Sequence, residues 1–352
     1  MKLIQLIFIS ILLLACAKPE AKPFQITSLK WEVQNSGNNS SIRGIDAVND
    51  SLVWLSGSYG RYAITEDGGK HWVTDSVPGA GSLDFRDIEA FSRDLVYLMS
   101  AGSGRLSRLY KTTDGGKNWE LQYENTNEQA FFDGFAWWDE NNGVLIGDPV
   151  DGKHYLLKTT DGGQNWNRID PDKLAPLAEG EIGGFAASGT TIAVYGDNVW
   201  FATGGQTARL HHSPDRGESW QVYDTPMIDG VGTAGIFSID FRDSLNGVMV
   251  GGDFTKPKQG GYNVAYTADG GKNWTAVADT SVVSYRSCVQ YIPGTHSLVT
   301  VGRGGVGAWS NDDGRTWTRF GNLPFYTLSF AKGSKSAWAA GPNGAVAKLV
   351  VE

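Results

Sequence analysis

The sequence predicts an all-β fold in which seven four-stranded sheets close into a ring, and three observations carry that prediction. An eight-residue phrase recurs six times, at Thr65–Trp72, Thr112–Trp119, Thr159–Trp166, Ser213–Trp220, Thr267–Trp274 and Ser310–Trp317. Its tryptophans are 47, 47, 54, 54 and 43 residues apart, the period of a four-stranded blade and too long for most helical solenoids. The chain also has two unmatched ends. Leu29–Val33 reads as the strand that follows such a phrase with no strands before it, and Leu328–Glu352 opens a unit that stops short of one. If the N-terminal strand completes that last unit, no sheet edge stays open. Six complete units plus the shared one make a seven-bladed β-propeller; six blades is the alternative count.

Each phrase obeys one rule: Ser or Thr, any, Asp, any, Gly, any, any, Trp. These are the residues of a tight turn. The Asp is expected to accept a hydrogen bond from the backbone two residues on, with the Ser or Thr hydroxyl joining the same loop. The Gly supplies a positive φ without a Cβ penalty, and the Trp buries a large ring whose N–H needs a partner. None of these roles is catalytic, so Asp67, Asp114, Asp161, Asp215, Asp269 and Asp312 read as scaffold.

At the N-terminus, Met1-Lys2 followed by the apolar run Leu3–Leu14 reads as a secretory leader, too short to span a membrane as a helix. It ends Leu13-Leu14-Ala15-Cys16, similar to a bacterial lipobox, so residues 1–15 are expected to be removed and Cys16 lipidated. The expected localisation is the bacterial cell envelope, with Ala17 after the cysteine favouring the outer membrane. A plain secretory leader is the simpler alternative. Residues 16–27, rich in Pro and Lys, read as a tether, and 28–352 as the folded body. The net charge of −8 argues against a nucleic-acid partner. Only Cys288 remains besides Cys16, so no internal disulfide is expected.

Within the body, short strands alternate with Gly, Asn and Asp turns. In the first blade these are Ile42–Val48, Leu52–Ser56, Arg61–Thr65 and a strand near His71–Val73. Later blades are expected to begin near Arg86, Gly134, Gly184, Ile236, Arg286 and Thr327. Pro171–Glu179 suits a short helical turn, and no long amphipathic helix or second domain is apparent.

The octapeptide resembles the Asp-box (BNR) repeat of bacterial neuraminidases and related propellers. That resemblance implies a hairpin between the third and fourth strands of a blade, away from the ligand face. Ser41-Ile42-Arg43-Gly44-Ile45, Val53-Trp54-Leu55-Ser56-Gly57 and Thr65-Glu66-Asp67-Gly68-Gly69-Lys70 further resemble the photosystem II stability and assembly factor-like propellers. This likeness implies a non-enzymatic factor that docks on a membrane protein through arginines. The leader and the acidic balance depart from the photosynthetic members, so their partner does not carry over.

Ligands of such a ring meet the face opposite the octapeptides. Arg43, Arg86, Asp87, Asp133, Tyr285 and Arg286 are the binding candidates there, with Asp84 and Glu181. The loops between second and third strands add Arg61, Arg105, Asp148, Arg209, Asp253 and Arg303. Repeated charges at one end of a ring focus a field on its opening, and arginines hold carboxylates in bidentate fashion. Pairing with acids across blade junctions is the competing role for each. The expected partner is an envelope protein or a glycan, with oligomeric state open.

The alternative is a glycoside hydrolase, sialidase-like or otherwise polysaccharide-acting. It would need an acid pair or a Tyr–Glu pair such as Tyr285 with Glu181. The Arg-Ile-Pro element of sialidases is missing, the comparable site reading Arg43-Gly44-Ile45. No cofactor is expected: Gly302–Gly307 matches G-x-G-x-x-G but leads into an octapeptide hairpin rather than a helix. No metal-ligating set emerges either. His211 and His212 should point to opposite faces of a strand, while His71, His154 and His296 are scattered.

Overall fold

The computed structural model of the chain describes residues 24–277 and 284–352. The expected leader, the lipidation site Cys16 and most of the tether lie outside these residues. Runs of β-branched and aromatic residues between Gly, Asn and Asp turns form the strands. Blade 1 comprises Ile42–Ala47, Val53–Gly57, Arg61–Thr65 and Val73–Ser76, paired in chain order from the ring axis outward. Blades 2 and 3 repeat this from Phe85–Ala90 to Glu120–Glu124 and from Phe132–Trp137 to Asn167–Arg168. Blades 4, 5 and 6 open on Ile192–Tyr195, Ala234–Phe241 and Cys288–Tyr291.

Blade 7 takes Thr327–Phe330, Ala337–Ala340 and Ala345–Val351 from the C-terminus, and its outermost strand is Leu29–Asn35. The two ends pair antiparallel over seven residues, from Leu29 opposite Val351 to Asn35 opposite Ala345. The described residues therefore form seven blades, and the six-bladed count falls. Part of the expected tether is also packed down: Ile26 is buried, and its N–H and C=O both bond the Asn311 side chain.

The core lies between blades rather than within them. Trp54, Tyr62 and Ile64 of blade 1 pack on Phe85, Leu98 and Tyr110 of blade 2. Trp338 and Val346 of blade 7 pack on Ile45 and Leu55 of blade 1, so apolar burial closes the ring as well as pairing does. A fully buried side chain of this size contributes about 1.5–3 kcal/mol.

All six octapeptides join third and fourth strands, and one hydrogen-bond set serves them all. In the second copy the Thr112 hydroxyl donates to Asp114 Oδ1 (2.9 Å) and accepts from the Gly116 N–H (2.9 Å). Asp114 Oδ1 then accepts from the Asn118 N–H, and Oδ2 from the Asn118 side chain (2.7 Å). The Asp thus bonds the backbone four residues on, not two. The seventh position, unconstrained in the sequence rule, supplies a side-chain donor in every copy: His71, Asn118, Asn165, Ser219, Asn273 and Thr316. These bonds hold the Asp114 carboxyl down at about 2. The fifth-position glycine is left-handed throughout, as at Gly116 (φ 85°).

The expected start of blade 4 near Gly184 is corrected. Its inner strand begins at Ile192, and the preceding Gly183–Thr191 forms no strand of that blade. Instead Glu181–Ile182 pairs with Gly204–Gly205, and Gly204 with Gly235 of blade 5.

Candidate functional site

Segment 183–191 crosses the ring's central opening. The Gly184 N–H donates to Asp133 of blade 3, and the carbonyls of Ala186 and Ala187 accept from Arg86 and Arg43 of blades 2 and 1. The Ser188 hydroxyl donates to the Ser287 carbonyl beside blade 6, and the Ser188 carbonyl accepts from Thr327 of blade 7. The sequence Gly-Gly-Phe-Ala-Ala-Ser-Gly permits the crossing. A Cβ on Gly189 (φ 76°) would lie 2.1 Å from Asp87 Oδ1.

The crossing divides the opening into two chambers. The first lies where the inner strands begin, so the antiparallel order puts it opposite the octapeptide turns. Its volume is about 180 Å³, and it is lined by Arg43, Arg86, Arg303, Phe185, Ala186, Ala187, Phe237, Phe254, Tyr285, Ser287 and Tyr326. Phe185 stacks on Phe237 (3.8 Å between ring centres), and Tyr285 meets Phe237 edge-on. Arg43 lies over Tyr326 at 4.6 Å. Arg86 donates to Asp84 (2.8 Å), whereas Arg43 and Arg303 have no carboxylate within 4 Å among the described residues. Burial, then the neighbouring Arg86 charge, lowers the Arg43 pKa. Such guanidinium groups gain from an incoming carboxylate, and the stacked rings offer apolar contact beside it.

Of the expected site residues, the structure brings Arg43, Arg86 and Tyr285 together and places the other three elsewhere. Arg286 is fully buried outside the lining, donating to Ser284 Oγ and the Tyr285 carbonyl, and burial lowers it to about 10. Asp87 is a buried tie from blade 2 to blade 3, accepting from the Phe135 N–H, and Asp133 a buried tie from blade 3 to the crossing segment, accepting from the Gly184 N–H. Burial raises both carboxyls well above their usual range. Arg105 pairs with Glu124 and Arg209 with Glu181. Arg303 enters the site on the Gly302–Gly307 segment, which is the expected turn between the second and third strands of blade 6.

The second chamber, about 210 Å³, is acidic: Asp46, Asp87, Glu89 and Asp240 line it with Gln290 and Ser329. Most of these groups join a belt of bonds between adjacent inner strands. Asp46 accepts from the Ala90 N–H, Asp240 from Tyr291, Gln290 from Phe330 and Ser329 from Ala47. Burial, then the Asp46 charge, pushes Glu89 up to about 7, and burial pushes Asp240 up to about 6.

A third cluster sits between blades 3 and 4. His211 and His212 do face opposite ways: His212 stacks on Trp200, while His211 turns to His154 and Glu181. Burial holds both His154 and His211 down, His154 to about 3. Burial works to raise Glu181, but hydrogen bonds from His211 and Arg209 outweigh it.

No family model matches this chain, and no curated protein matches its sequence. Solved structures do. A YCF48 bound to D1 peptide is 15% identical with a TM-score of 0.67, over 93% of this chain and 100% of that one. YCF48 from Cyanidioschyzon merolae is 18% identical with a TM-score of 0.66, over 90% of this chain and 98% of that one. The WD40 propeller domain of Doa1 is 12% identical with a TM-score of 0.64, over 93% of this chain and 98% of that one. At these identities the likeness establishes the seven-bladed fold.

Proposed function

We propose that this chain is a non-enzymatic binding or assembly-factor propeller that docks a protein partner by seating its carboxylates in the arginine chamber. The observation that carries this reading is the pairing state of the arginines. Arg43 and Arg303 line an aromatic chamber and have no carboxylate within 4 Å among the described residues. A YCF48 of similar fold is bound to a D1 peptide, which favours a peptide segment over an acidic glycan as the occupant. In this reading the leader and Cys16 place the ring on the bacterial envelope, probed by lipid labelling of Cys16→Ala against wild type.

Hydrolysis finds less support. Among the described residues no carboxylate lines the arginine chamber, and two-carboxylate catalysis needs a pair flanking the bond. Glu181, the partner a Tyr285 nucleophile would need, is bonded to Arg209, His211 and Thr203 away from that lining.

The test is crosslinked capture from native envelope by wild type and by Arg43→Glu/Arg303→Glu, with folding of the variant verified by circular dichroism. A defined protein captured by wild type and lost with the charge reversal supports docking. Capture indifferent to these charges overturns it, as does release of sugar from envelope polysaccharide by the wild type.

A further inference from the structure

We propose that His154, Glu181 and His211 form a binding site for a zinc-class divalent metal at the junction of blades 3 and 4. His154 lies on the third strand of blade 3 and His211 on the third strand of blade 4, with Glu181 on the short strand between them. One ligand atom from each falls within 4.8 Å of the other two. His211 Nε2 and Glu181 Oε1 are 3.1 Å apart. Two ligands on one tetrahedral zinc lie about 3.3 Å apart, given metal–ligand bonds of about 2.0–2.2 Å. That edge of the coordination polyhedron is therefore already in place.

An unpartnered atom points the same way. His154 is 5% exposed, yet its Nε2 has no hydrogen-bond partner among the described residues. Buried polar atoms normally find one.

The surroundings would orient the ligands. Arg209 holds Glu181 through Oε2, Thr203 donates to Oε1 (2.8 Å), and Phe201 stacks flat on His211 at 4.4 Å. Arg209 also sets a limit. Its charge already compensates Glu181, so the site should bind more weakly than a His–Glu–His set without a neighbouring cation. A cavity of about 160 Å³ whose wall includes His154, Pro171 and Ala175 lies beside one of the three ligands.

The probe is Co2+, whose visible absorption is strong only in tetrahedral or similarly distorted sites, added to chelator-treated full-length protein and then displaced with Zn2+. One equivalent should bind with that spectrum. His154→Phe, which refills the ring's space, should weaken it at least tenfold, whereas the surface pair His71→Ala/His296→Ala should leave it unchanged. If His154→Phe does not fold, Glu181→Gln serves in its place. Folded wild type without the cobalt spectrum would overturn the proposal, as would a spectrum that survives loss of His154 or Glu181 or vanishes with the surface histidines.

Discussion

The two chambers lie on opposite sides of the segment that crosses one central opening, yet their charges do different work. On the octapeptide side, Asp46, Asp87 and Asp240 each accept a backbone N–H from the next blade. On the other side, Arg43 reaches, among the described residues, the Ala187 carbonyl and the Tyr326 ring. A charge that satisfies buried backbone is structural, because removing it strands a donor away from water. In the proposed docking role, a guanidinium with no carboxylate within 4 Å among the described residues is the one that takes the partner's charge. Charge repeated round a ring does not by itself distinguish these roles; the partner does.

The separation of the chambers is the feature to break first. Gly189→Val sets a branched side chain at a left-handed position and 2.1 Å from Asp87 Oδ1. We expect a loss of about 3–4 kcal/mol in denaturant unfolding, from strain and overpacking together. A loss under about 1 kcal/mol would mean that the segment yields and that the chambers are not rigidly divided.

Next comes the belt. Asp87→Ala leaves the Phe135 N–H without its acceptor, at an expected cost of about 1–3 kcal/mol. Carboxylate-peptide binding by the remaining folded protein should be unchanged, since Asp87 does not line the arginine chamber. Lost affinity at full stability would reverse the assignment.

These contrasts were unevenly legible in the sequence. Ring, closure and turn position could be read because the octapeptide repeats and its spacing counts blades. The sequence rule leaves the seventh position blank because the donors there, His, Asn, Ser and Thr, share a function and not a name. The sequence places a blade start near Gly184, where the chain instead crosses the ring opening and the inner strand begins at Ile192. The crossing depends on residues far away in the chain, such as Asp87 and Ser287, whose positions no local pattern reveals. For the same reason the sequence offers Arg286, adjacent to Tyr285, as a site residue, although its side chain is buried outside the chamber lining.

The acidic chamber and the octapeptides should also differ in the sign of their pH response. The Asp114 carboxyl is depressed in the fold, so its stabilising contribution is present above about pH 4 and lost as pH falls towards about 2. Glu89 is raised from 4.5 to about 7. Between those values the folded state binds more protons than the unfolded one, so Glu89 makes stability fall as pH rises. Glu89→Gln should flatten urea midpoints across pH 4.5–7 and raise the midpoint at pH 8. A slope unaltered by the substitution would locate the titration elsewhere.

The smallest expected effect on stability tests the arginine chamber itself. Arg43→Ala removes a cation that burial and Arg86 both disfavour, together with one bond to Ala187 and the contact on Tyr326. The lost contacts and the relieved charge oppose each other, so the unfolding free energy should change by less than about 1 kcal/mol. Affinity for the captured partner should nevertheless fall at least tenfold, because a charged hydrogen bond to carboxylate is worth about 1.5–3 kcal/mol. A double substitution with Arg303→Ala should weaken it further and reduce its salt dependence. If Arg43→Ala instead destabilised the ring as much as Asp87→Ala, both chambers would be scaffold and the contrast between them would disappear.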